Sequence, residues 1–268
     1  MTSDGAAPPI PREVIERLQV LLCDADGNLF PSEEPAFEAS ADVTNGFLAH
    51  LGVSRRYSPA ELRLATTGMT FRRTAVALAA EHGIAEVGDL EEWVAREKEV
   101  VTAHLRATLR PDPRVREPLT ELGAELVLAG VSSSALARLE GCFAATGLDE
   151  LVPPERVFSA EDSLPVPTSK PDPAVYLHAC RQLGIAPDAG LAVEDSVPGA
   201  LSAVTAGCPT VGNVAFVPDA EREARTAALL DAGVLAVVGS WSQLAALLLP
   251  VLRRRAVVTA GVPAGEVP

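Results

Sequence analysis

Short apolar runs that alternate with amphipathic segments constrain the fold of this 268-residue chain more than any other feature. A run of about four to six apolar residues that ends in polar residues or glycine predicts a buried strand. Such runs lie at residues 20–23, 125–131, 157–159, 191–193, 209–211 and 234–238. Repeated strand, helix, strand order is typical of a doubly wound parallel sheet, so we predict an α/β, Rossmann-like core.

A helical stretch interrupts this alternation just after the first predicted strand. From residue 35 to residue 109 the apolar residues follow helical spacing, as at Phe47, Leu48 and Leu51. Four helical segments are predicted there, with breaks at Gly52, Ser58-Pro59, Gly68 and Gly83. We therefore expect a small α-helical cap, inserted after the first strand at the edge of the sheet where ligands bind.

These patterns together predict the domain organisation. We expect a disordered or short N-terminal segment over residues 1–17, a core over residues 18–34 and 110–253, the helical cap over 35–109, and a mobile tail over 254–268. Proline cannot donate a backbone hydrogen bond inside a helix, so Pro250 is expected to end the last helix.

The composition excludes several classes of function. The formal net charge is −14, whereas nucleic-acid binding depends on Lys and Arg neutralising phosphates, so we expect no nucleic-acid partner. The apolar run at residues 244–249 is too short to span a bilayer and no apolar leader opens the chain, so we expect a cytoplasmic protein with no membrane partner. The cysteines have no CxxC spacing and are predicted to be reduced, buried residues: Cys23, Cys142, Cys180 and Cys208.

Polar side chains follow several of the predicted strands. Asp24 and Asp26 follow the first strand, Ser132 and Asp195 end two others, and Lys170 precedes a helix. Each has a simpler explanation as a turn residue, a helix cap or a solvated charge. Strand ends of a parallel sheet meet at one edge, however, and two carboxylates one residue apart suit a hard cation and a nucleophile. Their joint occurrence favours a functional site.

The order of these segments resembles a known family. They lie at residues 24–27 (DADG), 131–134 (VSSS), 170–173 (KPDP) and 194–196 (EDS). With a helical insert between the first two, the chain resembles the haloacid dehalogenase superfamily of aspartate-nucleophile phosphotransferases over about residues 18–240. It is similar to the subclass with a small helical cap, which includes β-phosphoglucomutases and phosphoglycolate phosphatases.

The resemblance implies a reaction through an aspartyl-phosphate. Asp24 would attack phosphorus, and Asp26 would protonate the leaving alcohol and then deprotonate water. Ser132 would donate a hydrogen bond to a phosphoryl oxygen, and Lys170 would neutralise the nucleophile and the transferring group.

The same resemblance implies a Mg²⁺ cofactor. The ion would be held by the carboxylates of Asp24 and Asp195 and by the backbone carbonyl of Asp26. Glu194 would orient the lysine or the metal-bound waters.

Substrate contacts are expected from Ser133 and from the cap. Gly68, Arg72 and Arg73 form a candidate specificity loop, although the two arginines equally fit a solvated helix face. We expect a magnesium-dependent phosphatase of a small phosphorylated metabolite, such as a sugar phosphate.

Two other functions stay open at this point. A phosphomutase of the β-phosphoglucomutase type shares the four segments, but mutases carry a His soon after the first one, and no His lies between Asp24 and His50. The second open function is that of a catalytically idle binding module, although every expected catalytic side chain is present. The sequence indicates neither an oligomeric state nor a role for Asn28.

Overall fold

Six parallel strands form one sheet in the order β3-β2-β1-β4-β5-β6. The structure, a computed structural model, describes residues 10–66 and 69–260, with side chains up to residue 255. The strands are β1 (Val20–Cys23), β2 (Val127–Ser132), β3 (Val157–Ser159), β4 (Gly190–Glu194), β5 (Thr210–Asn213) and β6 (Ala236–Val238). The predicted doubly wound α/β fold with a helical insert after the first strand is confirmed.

Eleven helices accompany the strands in the described residues. They are α1 (Arg12–Arg17), α2 (Glu33–His50), α3 (Pro59–Thr66), α4 (Phe71–Glu81), α5 (Leu90–Thr108), α6 (Pro113–Gly123), α7 (Leu136–Thr146), α8 (Ala174–Leu183), α9 (Val197–Thr205), α10 (Asp219–Asp231) and α11 (Trp241–Ala260). Short 3₁₀ turns lie at Leu148–Glu150, Pro154–Arg156 and Pro187–Ala189.

The strands are uniformly apolar because both faces of the sheet are covered. In β1, Leu21 and Cys23 belong to one buried cluster and Val20 and Leu22 to another. Successive side chains of a strand point to opposite faces, so a strand buried on both sides loses the alternation of polar and apolar residues.

The register of the central strands sets the positions of the polar residues that follow them. Cys23 pairs with Gly130 on one side and with Val193 on the other. The backbone N–H of Asp24 donates to the carbonyl of Val193 over 3.0 Å. From β1 the chain adds β2 and then β3 on one side, and it returns to place β4 on the other side of β1. The strand order therefore reverses between β1 and β4, and α/β sheets bind ligands at the carboxyl ends of the strands at such a switch point.

Helices α2 to α5 form the insert and have their own apolar cluster. Phe47, Leu62, Leu78 and Trp93 pack there. The predicted breaks at Gly52 and Gly83 hold, since both glycines have a positive φ, 77° and 76°. The predicted break at Gly68 lies outside the described residues. Because α2 begins at Glu33, the boundary predicted at residue 35 falls inside that helix, and the limits of the cap stay a prediction.

Helix α11 corrects one prediction. It runs through Pro250 to Ala260, so the expected end of the helix at Pro250 is wrong, and the expected tail boundary at residue 254 falls within it. Leu244, Leu248 and Leu252 repeat every four residues and are fully buried against the core. This packing outweighs the hydrogen bond that Pro250 cannot donate, and Pro250 itself lies on the exposed side. Residues 1–9 and 261–268, parts of the predicted tails, lie outside the described residues.

The helices and cysteines of the described residues bear on two expectations from composition. None of the helices there is both long enough and apolar enough to cross a membrane. All four cysteines are buried and free of disulfides, as predicted.

Candidate active site

Lys170 points directly at the predicted nucleophile. Its Nζ donates to Asp24 Oδ1 over 2.5 Å, to Glu194 Oε1 over 2.6 Å and to the Val131 carbonyl over 2.8 Å. An ammonium has three N–H donors, so these contacts use all of them and fix the direction of the side chain. The lysine side chain is 6% exposed and that of Asp24 9%. Burial alone would lower the pKa of Lys170, but Asp24 and Glu194 raise it above its ordinary value.

Glu194 is held between Lys170 and a tyrosine. The hydroxyl of Tyr176, on α8, donates to the same oxygen, Glu194 Oε1, over 2.5 Å. Neither Glu194 nor Tyr176 is exposed to solvent. Burial, followed by the charge of Glu194, raises the pKa of Tyr176 well above its usual value, so the phenol keeps its proton and donates. The sequence carries no signal for this role, because a Tyr among apolar helical residues predicts only core packing.

Three buried carboxylates converge beside the lysine. Asp24, Glu194 and Asp195 each offer an oxygen within 4.8 Å of the others. Burial raises the pKa of Asp24 well above its usual value, with Glu194 and Asp195 adding to the effect and Lys170 opposing it. Burial and then Glu194 likewise raise the pKa of Asp195 to about 8. Lys170, and Arg225 at 3.9 Å from Asp195 Oδ2, place two positive charges beside three carboxylates, so the cluster still lacks positive charge.

The donor set and the backbone around it fit a divalent cation. Carboxylate oxygens are the ligands that Mg²⁺ and Ca²⁺ prefer. Gly27 has φ of 75°, and a Cβ atom there would lie 2.5 Å from Asp195 Oδ2. Only glycine therefore lets Asp195 approach the loop that carries Asp24. The structure also brings Glu194 into this cluster, beyond the predicted set of Asp24, Asp26 and Asp195.

Asp26 points into a separate hydrogen-bond network. Its Oδ1 accepts from Ser32 Oγ over 2.6 Å and from Arg138 Nη2 over 3.1 Å. Its Oδ2 accepts from Ser134 Oγ over 2.7 Å and from Ser132 Oγ over 3.4 Å. Burial opposes ionisation, but Arg138, Ser32 and Ser134 together hold the pKa of Asp26 below its usual value. Sequence reasoning missed Ser32, whose contact depends on how the loop after β1 folds back on itself, and Arg138, whose contact depends on how α7 packs.

The second and third sequence segments also meet. Ser132 ends β2, is 2% exposed, and its Oγ accepts the N–H of Ser134 over 3.0 Å. Ser133 Oγ accepts the backbone N–H of Lys170 over 3.1 Å. The structure thus brings together Asp24, Ser132, Ser133, Lys170 and Asp195, which come from separate strand ends and loops.

The cap arginines named from the sequence do not join this group. Arg72 makes a bidentate ion pair with Glu91 on the surface, where one contact measures 2.6 Å. Arg73 is exposed, and neither arginine is among the residues that line the two cavities beside the site. Gly68 lies outside the described residues. Glu91 supplies the counter-charge of Arg72 in this structure, and a substrate contact by these residues stays a prediction.

Two cavities between the insert and the core open next to the site. One, of about 520 Å³, is lined by Gly27, Asp195, Arg63 and Arg225, together with several glutamates. The second, of about 630 Å³, lies between α5 and α7 and is lined by Ser133, Ser134 and Arg138. Since Ser134 and Arg138 both donate to Asp26, the second cavity adjoins the network of that carboxylate.

This chain matches a protein-family model and resembles several solved structures. A family model described as haloacid dehalogenase-like hydrolase matches residues 18–207. No curated protein matches the sequence. A HAD family hydrolase from Deinococcus radiodurans R1, solved with bound phosphate and sodium, is 26% identical with a TM-score of 0.62, covering 94% of this chain and 100% of that chain.

Two further solved structures share the fold. A conserved haloacid dehalogenase-like protein of unknown function from Agrobacterium tumefaciens is 24% identical with a TM-score of 0.66, covering 87% of this chain and 98% of its own. CbbY from Rhodobacter sphaeroides, in complex with xylulose-1,5-bisphosphate, is 24% identical with a TM-score of 0.60, covering 85% of this chain and 96% of its own.

Proposed function

The chain belongs to the haloacid dehalogenase-like hydrolase family, and we propose that it is a magnesium-dependent phosphatase of a small phosphorylated metabolite. The observation that carries the proposal is the contact of 2.5 Å between Lys170 Nζ and Asp24 Oδ1, set among three buried carboxylates. A buried carboxylate held by an ammonium beside a candidate cation site suits a nucleophile that attacks an anionic phosphate.

In the first half of the proposed reaction, the phosphoryl group moves to Asp24. A carboxylate oxygen of Asp24 forms a bond to phosphorus, and the bond between phosphorus and the ester oxygen breaks. The ester oxygen keeps the electron pair and takes a proton from Asp26, so an alcohol departs. Lys170 counters the negative charge that collects on the transferring group, and Ser132 lies within reach of a phosphoryl oxygen.

In the second half, water releases the phosphate. The water oxygen bonds to phosphorus, the bond from phosphorus to Asp24 breaks, and the aspartate recovers its carboxylate. The proton of the water passes to the carboxylate of Asp26, which is then ready for the next ester. After Asp26 has given its proton to the alcohol, Arg138, Ser32 and Ser134 stabilise the resulting carboxylate, which suits its role as base in this half.

The proposed cofactor is Mg²⁺. The carboxylates of Asp24, Asp195 and Glu194, with the backbone carbonyl of Asp26, would hold the ion. When bound, it supplies the positive charge that lets an anionic phosphate lie beside these carboxylates. Gly27 keeps Asp195 close enough to take part.

The leaving group of the proposed substrate fits the cavity between α5 and α7. Ser133 and Ser134 offer hydroxyl groups to it, and its volume of about 630 Å³ would accommodate a small polar metabolite. The Deinococcus relative holds phosphate and CbbY holds a sugar bisphosphate, which supports a phosphorylated sugar as the class to test first.

A panel of phosphate esters assayed with Mg²⁺ tests the proposal. We expect phosphate release from at least one sugar phosphate and loss of release in Asp24→Asn, since an amide is a poor nucleophile. Asp149→Asn is the matched control, because Asp149 is exposed on a 3₁₀ turn away from the site.

Other outcomes would replace the proposal. Isomer interconversion that requires a bisphosphate would establish the phosphomutase instead. If no ester releases phosphate while Asp24→Asn binds one of them as tightly as wild type, the chain is a binding module.

A further inference from the structure

Arg138 is the one cation that the described residues place in contact with Asp26. The other donors to this carboxylate are hydroxyl groups of serines. We propose that Arg138 is a positioning residue, which holds Asp26 in the orientation that receives the proton of the attacking water. This inference rests on the proposed phosphatase function.

The chemistry of the donors makes Arg138 different from the serines. A serine hydroxyl rotates and can either donate or accept, so it adapts to more than one carboxylate orientation. A guanidinium only donates, and its N–H groups are fixed in a plane. The Arg138 side chain is 26% exposed and that of Asp26 24%, so both are largely withdrawn from competing water. The contact of 3.1 Å therefore constrains direction as well as charge.

The elements that carry the donors also support a positioning role for Arg138. Oδ1 of Asp26 has two donors, Ser32 and Arg138. Ser32 is the residue before α2, the first helix of the insert, whereas Arg138 lies in α7, which packs on the core sheet. Of the two donors to this oxygen, Arg138 is the one that comes from a different element of the core, because Ser32 lies only six residues after Asp26 in the same loop. It ties Asp26 to the part of the molecule that also carries Ser132 and Lys170.

The two halves of the reaction depend on Asp26 to different extents, which makes the role measurable. With p-nitrophenyl phosphate, Asp24 attacks phosphorus and nitrophenolate departs as an anion with the electron pair, so no proton from Asp26 is needed. In the second half, a water proton must pass to Asp26 as the bond between Asp24 and phosphorus breaks. Displacing Asp26 should therefore slow release of phosphate and spare release of nitrophenolate.

The test is the kinetics of Arg138→Gln and Arg138→Lys with p-nitrophenyl phosphate and Mg²⁺. kcat/KM reports the steps through nitrophenolate release, whereas kcat also includes hydrolysis of the phosphoenzyme. A positioned base contributes about 10²–10⁴-fold, so we expect kcat of Arg138→Gln to fall at least about 10-fold while kcat/KM stays within about 3-fold. A burst of one nitrophenolate per active site should appear on mixing.

A matched variant distinguishes the specific role of Arg138 from the general effect of losing an arginine. Arg116 donates to Glu150 and to the Gly147 carbonyl, and the donors to Asp26 in the described residues do not include it, so Arg116→Gln should keep the wild-type ratio of kcat to kcat/KM. Arg138→Lys keeps the charge and should recover part of kcat. If Arg138→Gln does not fold, as judged by circular dichroism, the lysine variant carries the test, because it too loses the planar contact and should show a smaller burst.

Equal losses of kcat and kcat/KM without a burst would overturn the inference and leave the proposed function standing. No nitrophenolate from wild type, together with no phosphate from any ester, would overturn the proposed function and with it the inference. The two failures are therefore distinguishable.

Discussion

The side chain of Asn213 donates a hydrogen bond of 2.8 Å to the side-chain oxygen of Asn28, 185 residues earlier in the chain. The amide nitrogen of Asn28 donates in turn to the carbonyls of Asp24, over 3.0 Å, and Val193, over 2.9 Å. Trp241 Nε1 donates to the Asn28 carbonyl over 3.0 Å. Asn28 thus joins the loop after β1 to β4, β5 and α11, and it holds the backbone of the predicted nucleophile.

Replacing Asn28 should therefore destabilise the core. Asn28→Ala leaves the Asp24 carbonyl and the Asn213 amide buried without this partner, each at a cost of about 1–2 kcal/mol, whereas the Val193 carbonyl keeps the N–H of Asp24. We expect the free energy of unfolding in urea to fall by about 2–4 kcal/mol. A double-mutant cycle with Asn213→Ala should give non-additive losses, because the two amides are in contact. Additive losses would contradict the pairing.

Gly27 and Gly52 form a natural pair for testing the approach of Asp195. Both have a positive φ, 75° and 77°, but a Cβ at Gly52 meets nothing within 4 Å, whereas one at Gly27 would meet Asp195 Oδ2. Both alanine variants should lose about 1–2 kcal/mol from backbone strain. Only Gly27→Ala should also weaken Mg²⁺ binding, by about 10–100-fold in calorimetric titration. Equal Mg²⁺ affinity in the two variants would show that Asp195 does not hold the ion.

The raised pKa of Asp195, about 8, predicts how the metal-free protein responds to pH. In the unfolded chain this carboxyl ionises near pH 4, but in the folded protein it keeps its proton until about pH 8. Its contribution to stability is complete below about pH 4 and is lost as the pH rises through about 8. With EDTA present, we expect the free energy of unfolding of wild type to fall from pH 5 to pH 8, relative to Asp195→Asn, by on the order of a few kcal/mol.

Mg²⁺ should reverse that trend, because it binds the ionised carboxylates and binds more tightly as they lose protons. Urea unfolding at several pH values checks both the fall in stability with EDTA and its reversal with Mg²⁺. Parallel profiles for wild type and Asp195→Asn in EDTA would contradict the assignment.

Because α11 is continuous through Pro250, replacing this proline should increase the stability of the protein. Proline in a helix interior is about 3 kcal/mol less favourable than alanine, and Pro250 lies on the exposed side of the helix. Pro250→Ala should therefore stabilise the protein by about 1–3 kcal/mol in urea unfolding. Pro165→Ala, in an exposed loop, serves as the control and should change little. No gain at Pro250 would indicate that the helix ends there.

Local patterns in the sequence predicted the sheet and the polar cluster around Asp24. Every strand was recognised, since a buried parallel strand is a short apolar run whatever its neighbours are. The convergence of Asp24 and Asp195 followed from a rule of geometry, because the ends of parallel strands meet at one edge, whereas the approach of Lys170, in the loop before α8, was implied by the family resemblance. The family resemblance, now confirmed by the family model, rested on these same strand ends.

The errors arose where a local rule competed with packing. Pro250 was expected to end α11 because it cannot donate a backbone hydrogen bond, but the apolar face of the helix continues past it and stays buried. For Arg72 the sequence left open a substrate contact or a solvated helix face; the structure pairs it with Glu91, 19 residues later, and its role toward a substrate stays a prediction.

By itself the sequence determined the order of strands and helices and the identity of the residues around Asp24, because these depend on periodicity and on positions at strand ends. Only the tertiary structure decided which partners Asn28, Arg138 and Arg72 take. Those contacts join residues far apart in the chain, 112 positions in the case of Arg138 and Asp26, and no local pattern encodes them. These contacts form because packing brings the donor and acceptor groups together where buried polar atoms have few water molecules to bond with.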